Sequence, residues 1–444
     1  METLLSEHHD GQLVAQTDRV ERLAFAHLVG AIPAQRAYTA WCAADGEFRI
    51  GVGHAWRMMS SSGDSGLTLS SLKNLIQAAA GDLWHHVSYA FAWSHFDPSD
   101  RRNAADERWQ DFAPVEVSIP EISFVWKDGA LSRTIICDER RFENVLATAE
   151  SIQKRALRAM DDVRPGDLWS TDLVDDDQKY EAVVAAGLTA IDTGLVEKVV
   201  LARALTQVGQ RDIDIPLTLH TLLARYPDCF VFAIRPGGSQ HGPSPVFLGA
   251  TPERLVRVTH GRMVTEALAG SAPRGVSSHM DERLANDLLR SDKDRHEHDV
   301  VCARVEEALE DHVENLKRGA KQVKRLRNVQ HLHTAIEADL RPGVGVIEIV
   351  EALHPTPAVG GHPQGRALAL IREIEPFPRG LYAGTAGWFD SRGDGEFGVL
   401  IRSGLISGNE VVLYAGAGIV AGSEPELEAR ETRVKLGAVL ESLR

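Results

Sequence analysis

The sequence predicts an α+β protein in which adjacent, mostly antiparallel strands build large sheets and helices pack outside them. Three observations carry this expectation. Strands follow one another without an intervening helix near Val246, over 253–258 and over 263–268, and again over 380–389, 396–406 and 410–416. Gly393-Asp394-Gly395 and Ser407-Gly408-Asn409 supply hairpin turns, since glycine and asparagine reach the backbone angles that tight turns need. With 444 residues and 43% hydrophobic content, the chain can bury a large core as one extended domain or two joined lobes.

The elements follow in order. Residues 1–140 give weak signals: an amphipathic start at 20–29, a Ser/Gly stretch at 60–65, a helical segment at 67–83 and an Asp/Arg/Asn-rich loop at 97–106. A helix over 142–160 ends before Pro165-Gly166, the expected seam between an amino-terminal lobe (1–160) and a catalytic region (161–444). From Asp177 a helix to Ile191 leads into a strand at 196–204, and a helix at 218–225 into a strand at 229–234. Helices at 280–289 and 292–316 precede strands at 323–332 and 333–339; helices at 346–352 and 366–373 precede a three-strand meander. The last strand breaks at Gly416-Ala417-Gly418 into an acidic helix, whose Val434, Leu436, Val439 and Leu440 leave much of its surface for packing.

Composition excludes several classes. A net charge of −15 argues against nucleic acid, which needs a basic face, but not against a small anion held in a locally basic cleft. No apolar run reaches the ~18 residues of a membrane span, and the start lacks a signal peptide's basic and apolar regions, so a soluble cytoplasmic protein is expected. Cys42, Cys137, Cys229 and Cys302 show no CxxC spacing and are expected to be reduced and buried. Gly416 to Ala421 fits G-x-G-x-x-A, yet Arg444 comes too soon for the βαβ unit of a dinucleotide site, and the glycines read instead as a close backbone approach to a small anion.

Four places can carry chemistry. Lys198 sits in the apolar strand Val196-Glu197-Lys198-Val199-Val200, sharing a face with Val200 and Ala202. In a closed cleft it would serve as a general base; otherwise it is a surface-strand lysine. Glu253, after Thr251-Pro252, would keep its proton in an apolar pocket and act as a general acid; in the open it is a solvated turn residue. Asp294 and Glu297 stand i, i+3 on one helix, as Glu428 and Glu431 do on the last, where Lys435 follows on the same face. Either pair alone reads as a solvated helix face, whereas together they could hold Mg²⁺, which takes one or two protein carboxylates and leaves positions for water and substrate. His296, His298, His331 and His333 lack the spacing of a zinc site.

As a set, these segments resemble the chorismate-utilising enzymes, and among them the isochorismate synthases. The resemblance spans Asp177 to Lys435 and includes Glu197-Lys198-Val199-Val200-Leu201-Ala202-Arg203, Phe247-Leu248-Gly249-Ala250-Thr251-Pro252-Glu253, Leu268-Ala269-Gly270-Ser271, Leu353-His354-Pro355-Thr356-Pro357-Ala358-Val359, Gly380-Leu381-Tyr382-Ala383-Gly384-Thr385 and Ile401-Arg402. It implies two large, mostly antiparallel sheets packed in a sandwich. It also implies Lys198 as the base that activates water, Glu253 as the acid that protonates the departing hydroxyl, and Glu297 and Glu431 as magnesium ligands, with Asp294 and Glu428 acting through water. Arg402, Tyr382 and the N–H groups of Gly416 and Gly418 would hold the pyruvyl carboxylate of chorismate, and Lys435 would face the ring carboxylate. Gly270, Ser271 and His331 would line the pocket.

Ammonia-using relatives lack the base lysine or carry a nucleophilic lysine where this chain has Ala269. No glutamine amidotransferase partner is therefore expected, and the chain would act as a monomer or weak homodimer. Residues 353–359 have the isochorismate synthase form, which favours release of isochorismate over the pyruvate loss of a salicylate synthase. A non-catalytic chorismate-binding regulator is the reading from another class. The destination of the product, whether menaquinone, a catechol siderophore or salicylate, stays open at this stage.

Overall fold

A computed structural model describes residues 5–6, 13–61, 67–81, 84, 87–160, 177–237, 244–325, 327 and 329–444; the expected seam at Pro165-Gly166 lies outside them. The described strands form two sheets of eleven strands each. In the first, Ala90–Ser94, Thr385–Phe389, Gly395–Val399, Arg254–Thr259, Arg262–Pro273 and Val329–Leu340 lie side by side. In the second, the order is Gly361–His362, Lys198–Val208, Glu410–Ile419, Ser403–Ser407, Val246–Thr251, Phe230–Arg235 and Tyr38–Cys42. Amino-terminal strands extend both sheets, and the neighbours named here pair antiparallel throughout.

Large rings fill the space between the sheets. Trp41, Phe232, Phe247 and Phe397 are fully buried, with Trp41 stacked 5.4 Å from Phe230 and Phe232 5.7 Å from Phe247. Helices Phe25–Ala31, Phe142–Met160, Ile215–Arg225 and Pro425–Leu440 bring Leu28, Ala149, Leu219 and Leu436 into a second apolar layer. Strands covered on both faces, such as Val246–Thr251, are buried at every position and read as unbroken apolar runs.

Several sequence expectations are corrected. The helix from Asp292 stops at Leu309, and Val313–Arg318 is a strand beside Val329–Leu340; its charged sequence, VENLKR, imitates the helix it follows. The expected strands at 323–332 and 333–339 are one short strand, Gln322–Arg325, and one long strand, Val329–Leu340. The strand expected at 380–389 begins only at Thr385. The expected meander is two hairpins in different sheets: Thr385–Phe389 pairs with Gly395–Val399, and Ser403–Ser407 with Glu410–Ile419. Nor do Gly416 and Gly418 break the last strand, which runs to Ile419 against Lys198–Val208. Val434, expected to pack, is 49% exposed. All four cysteines are free and buried.

Splitting the meander between the sheets creates two crossings. The chain passes from the second sheet to the first at Pro252-Glu253 and returns at Leu400-Ile401-Arg402. Each crossing is bonded to the strand beside the other: Val399 N donates to Glu253 O at 3.0 Å and Ala250 N to Arg402 O at 3.1 Å.

Candidate active site

Beside the crossings, one cavity gathers residues that are far apart in the chain. Lys198, Glu253, Gly270, Ser271, Glu297 and His331 line it, as do Tyr382, Arg402, Gly416, Gly418, Glu431 and Lys435. The two remaining predicted residues are not among those that line it. Asp294 lies behind Gly270, its Cβ 3.1 Å from where a Gly270 side chain would begin, and Glu428 is half-buried one turn before Glu431.

Lys198 opens its strand and is 9% exposed, so it is not a surface-strand lysine; its Nζ donates to Glu297 Oε1 at 2.6 Å. Gly418 makes room for it, since a Cβ there would stand 3.2 Å from Lys198 Cε and 3.8 Å from Glu297 Oε1. Glu253 is also 9% exposed. Burial and the neighbouring Glu266 carboxylate push its pKa up to about 7, so near neutrality it carries a proton to donate. Its own N–H is held by Thr251 Oγ1 at 3.2 Å, and Thr251 Oγ1 in turn donates to Val399 O at 2.6 Å, which fixes the crossing.

The residues expected to hold an anion line the same cavity. Among the described residues, no hydrogen bond or salt bridge engages the Arg402 guanidinium, which leaves its fork open for a carboxylate. Tyr382 is buried, stacks on Tyr414 with centroids 5.2 Å apart, and has its phenol pushed up to about 12 by burial, so it presents a neutral O–H. The pairing of Glu410–Ile419 with Ser403–Ser407 ends at Tyr414, which frees one edge of the strand beyond it. Gly416 O takes a bond from Lys435 Nζ at 2.8 Å. A strand residue points its N–H and C=O to the same side, so the Gly416 N–H faces that free edge. His331 Nδ1 and Ser271 Oγ lie 2.8 Å apart on another wall. Burial, with Arg402 and Lys435 nearby, holds the His331 ring down to about 3, so it is neutral.

Among the described residues, no three acidic, histidine or cysteine side chains converge on a single cation position. Instead each expected direct ligand already faces a cation: Glu297 holds Lys198, and Glu431 Oε1 holds Lys435 Nζ at 2.6 Å, which draws the Glu431 carboxyl below its usual range. Two carboxylates with an all-oxygen donor set suit magnesium, which completes its shell with water and substrate oxygens.

Sequence reasoning missed Arg379. This fully buried side chain donates to Val200 O at 2.7 Å and Val359 O at 2.9 Å and pairs with buried Glu375, whose Oε1 accepts Ala202 N at 2.7 Å. The pair ties the strand of Lys198 to the segment containing Ala358 and Val359, which line the cavity. The available signal was an arginine amid Phe377-Pro378 and Gly380-Leu381-Tyr382, a charge in an otherwise apolar stretch.

The chain is 38% identical over 358 residues to the salicylate biosynthesis isochorismate synthase of Pseudomonas aeruginosa, covering 78% of this chain and 72% of that protein. It is 35% identical over 369 residues to isochorismate synthase MenF of Bacillus subtilis, covering 80% and 74%. Its fold superposes on MenF, the menaquinone-specific isochorismate synthase from Escherichia coli, with a TM-score of 0.77 at 24% identity over 97% of this chain and 95% of that one. The family profile described as chorismate binding enzyme matches residues 2–444, and the chain therefore belongs to the chorismate binding enzyme family.

Proposed function

We propose that this protein is an isochorismate synthase, converting chorismate to isochorismate. The observation that carries the reading is a buried base candidate, Lys198, and a buried, proton-retaining Glu253 on one cavity with Arg402, whose guanidinium has no hydrogen-bond or ion-pair partner among the described residues. Chorismate is a dianion. Arg402 can take one carboxylate in a two-bond fork, helped by the Tyr382 hydroxyl and the backbone N–H groups at Gly416 and Gly418, while Lys435 faces the other. With its ammonium proton given up, the neutral Lys198 amine takes a proton from water as the water oxygen bonds to ring C2; the ring double bonds shift, and Glu253 gives its proton to the C4 hydroxyl, which leaves as water. One water enters and one leaves, so the reaction is an isomerisation.

Magnesium, bound by Glu297 and Glu431 with Asp294 and Glu428 acting through water, would neutralise the ring carboxylate. Ala269 supports a reading without an amidotransferase partner. The proposal includes a monomer or weak homodimer working in the cytoplasm; among the described residues no helix is long and apolar enough to cross a membrane.

The test is incubation of pure protein with chorismate and Mg²⁺, followed by product separation at early times. Isochorismate in reversible balance with chorismate is expected. Salicylate and pyruvate rising together from the start, with no isochorismate, would reassign the chain as a salicylate synthase, and tight chorismate binding without turnover would make it a regulator.

A further inference from the structure

A chain of net charge −15 concentrates arginine in one place. A second cavity, about 340 Å³ against about 100 Å³ for the catalytic one, adjoins it and shares Pro252, Arg402 and Lys435 with it. The rest of its wall carries Arg225, Arg274, Arg325 and Arg327 against a single acid, Asp228. Acidic partners restrain three of these arginines. Asp281 holds Arg274 by two bonds of 2.7 and 2.9 Å, Glu282 pairs with Arg325, and Glu441 lies 3.5 Å from Arg225. Arg327 is exposed and has no hydrogen bond or ion pair among the described residues.

We propose that this second cavity is an antechamber that captures small dianions and hands them to the reacting site past Arg402 and Lys435, with Arg327 as its recognition charge. The proposal rests on chorismate as the substrate. A concave wall of one sign, lined by low-dielectric protein, concentrates counter-charged solutes within it even when the molecule as a whole repels them. The shared Arg402 and Lys435 make the passage continuous in charge: an anion leaving the arginine wall meets the two groups that grip it for reaction.

The experiment measures kcat and kcat/KM with chorismate at about 20 mM and about 500 mM ionic strength, where screening is weak and nearly complete respectively. One unit charge roughly 12 Å from a dianion in a water-like medium is worth about a threefold change in affinity. R327E, which changes two charges, is expected to lower kcat/KM about tenfold at low salt, with kcat unchanged and the loss nearly gone at high salt. D228N should raise kcat/KM about threefold, and reversal of an exposed lysine in the amino-terminal half, K127E, should do neither. If R327E behaves as K127E does, or its loss is the same at both salts, the antechamber is overturned while wild-type turnover leaves the catalytic reading standing. A wild-type protein inert toward chorismate removes both.

Discussion

Replacing Glu253 with glutamine separates catalysis from stability in a way the structure makes quantitative. The carboxyl is buried, and its pKa of about 7 lies above the ordinary 4.5. A group whose folded pKa is raised binds its proton more tightly in the native state. Its contribution to stability is therefore complete below about pH 4.5 and is lost as pH rises through 7. The difference of roughly 2.5 units corresponds to about 3 kcal/mol of stability forfeited above pH 7. Glutamine keeps the shape and the uncharged state at every pH. E253Q should match wild type in denaturant unfolding at pH 4.5 and exceed it by about 3 kcal/mol at pH 8, with the gap opening between those values.

The same substitution removes the proposed proton donor, so turnover should fall by a factor of about 10² to 10⁴. Wild-type kcat/KM should itself decline above pH 7, about tenfold between pH 6 and pH 8, as the acid form is titrated away. A variant that is both more stable at pH 8 and catalytically dead would tie the perturbed carboxyl to the chemistry. Unchanged turnover, or a stability difference that does not vary with pH, would refute the assignment of Glu253 as a buried acid.

Other substitutions probe the remaining parts. K198A should abolish turnover while chorismate binding, measured by calorimetry, weakens only modestly, because a base acts in the transition state and Arg402 supplies the ground-state grip; near wild-type kcat would place the base elsewhere. E297A and E431A should each remove activity, and excess EDTA should silence the wild-type enzyme until Mg²⁺ is restored; full turnover in EDTA contradicts the metal proposal. G418A would put a methyl 3.2 Å from Lys198 Cε, displacing a side chain that must stay aligned. It should cost about tenfold or more in kcat with little change in Tm, and equal kcat would show that Lys198 has slack.

What the sequence revealed depended on contrast with local surroundings. Lys198 was legible because it lies mid-strand in a segment otherwise apolar enough to be core, and Glu253 because a turn follows an apolar run; both prove buried. The helices Phe142–Met160 and Asp177–Asp192 were legible from periodicity. Contacts over long separation were not. Glu297 reaches Lys198 across 99 residues and Arg379 reaches Val200 O across 179, and no local pattern announces either. The expected single strand over 396–406 failed for a related reason: an apolar run keeps its β signature while it leaves one sheet and joins another, and only the pairing partners differ.

That change of sheet explains why the site lies where it does. Arg402 adopts φ +53° at the second crossing, a conformation that costs a non-glycine residue of order 1 kcal/mol or more. The surrounding backbone fixes it: Ala250 N bonds Arg402 O, and Ala383 N, itself in a residue at φ +58°, bonds Leu400 O at 2.9 Å. Where two neighbouring connections leave a sheet together, the strands part and a cleft opens between layers that elsewhere are packed with rings. The residues at the parting, Glu253 on one connection and Arg402 on the other, are brought to one cavity by the same pair of backbone bonds that ties each connection to the strand beside the other. The Glu253 carboxyl and the Arg402 guanidinium are thus held relative to each other by main chain, and Lys198 lines the same cavity from a strand packed against helices.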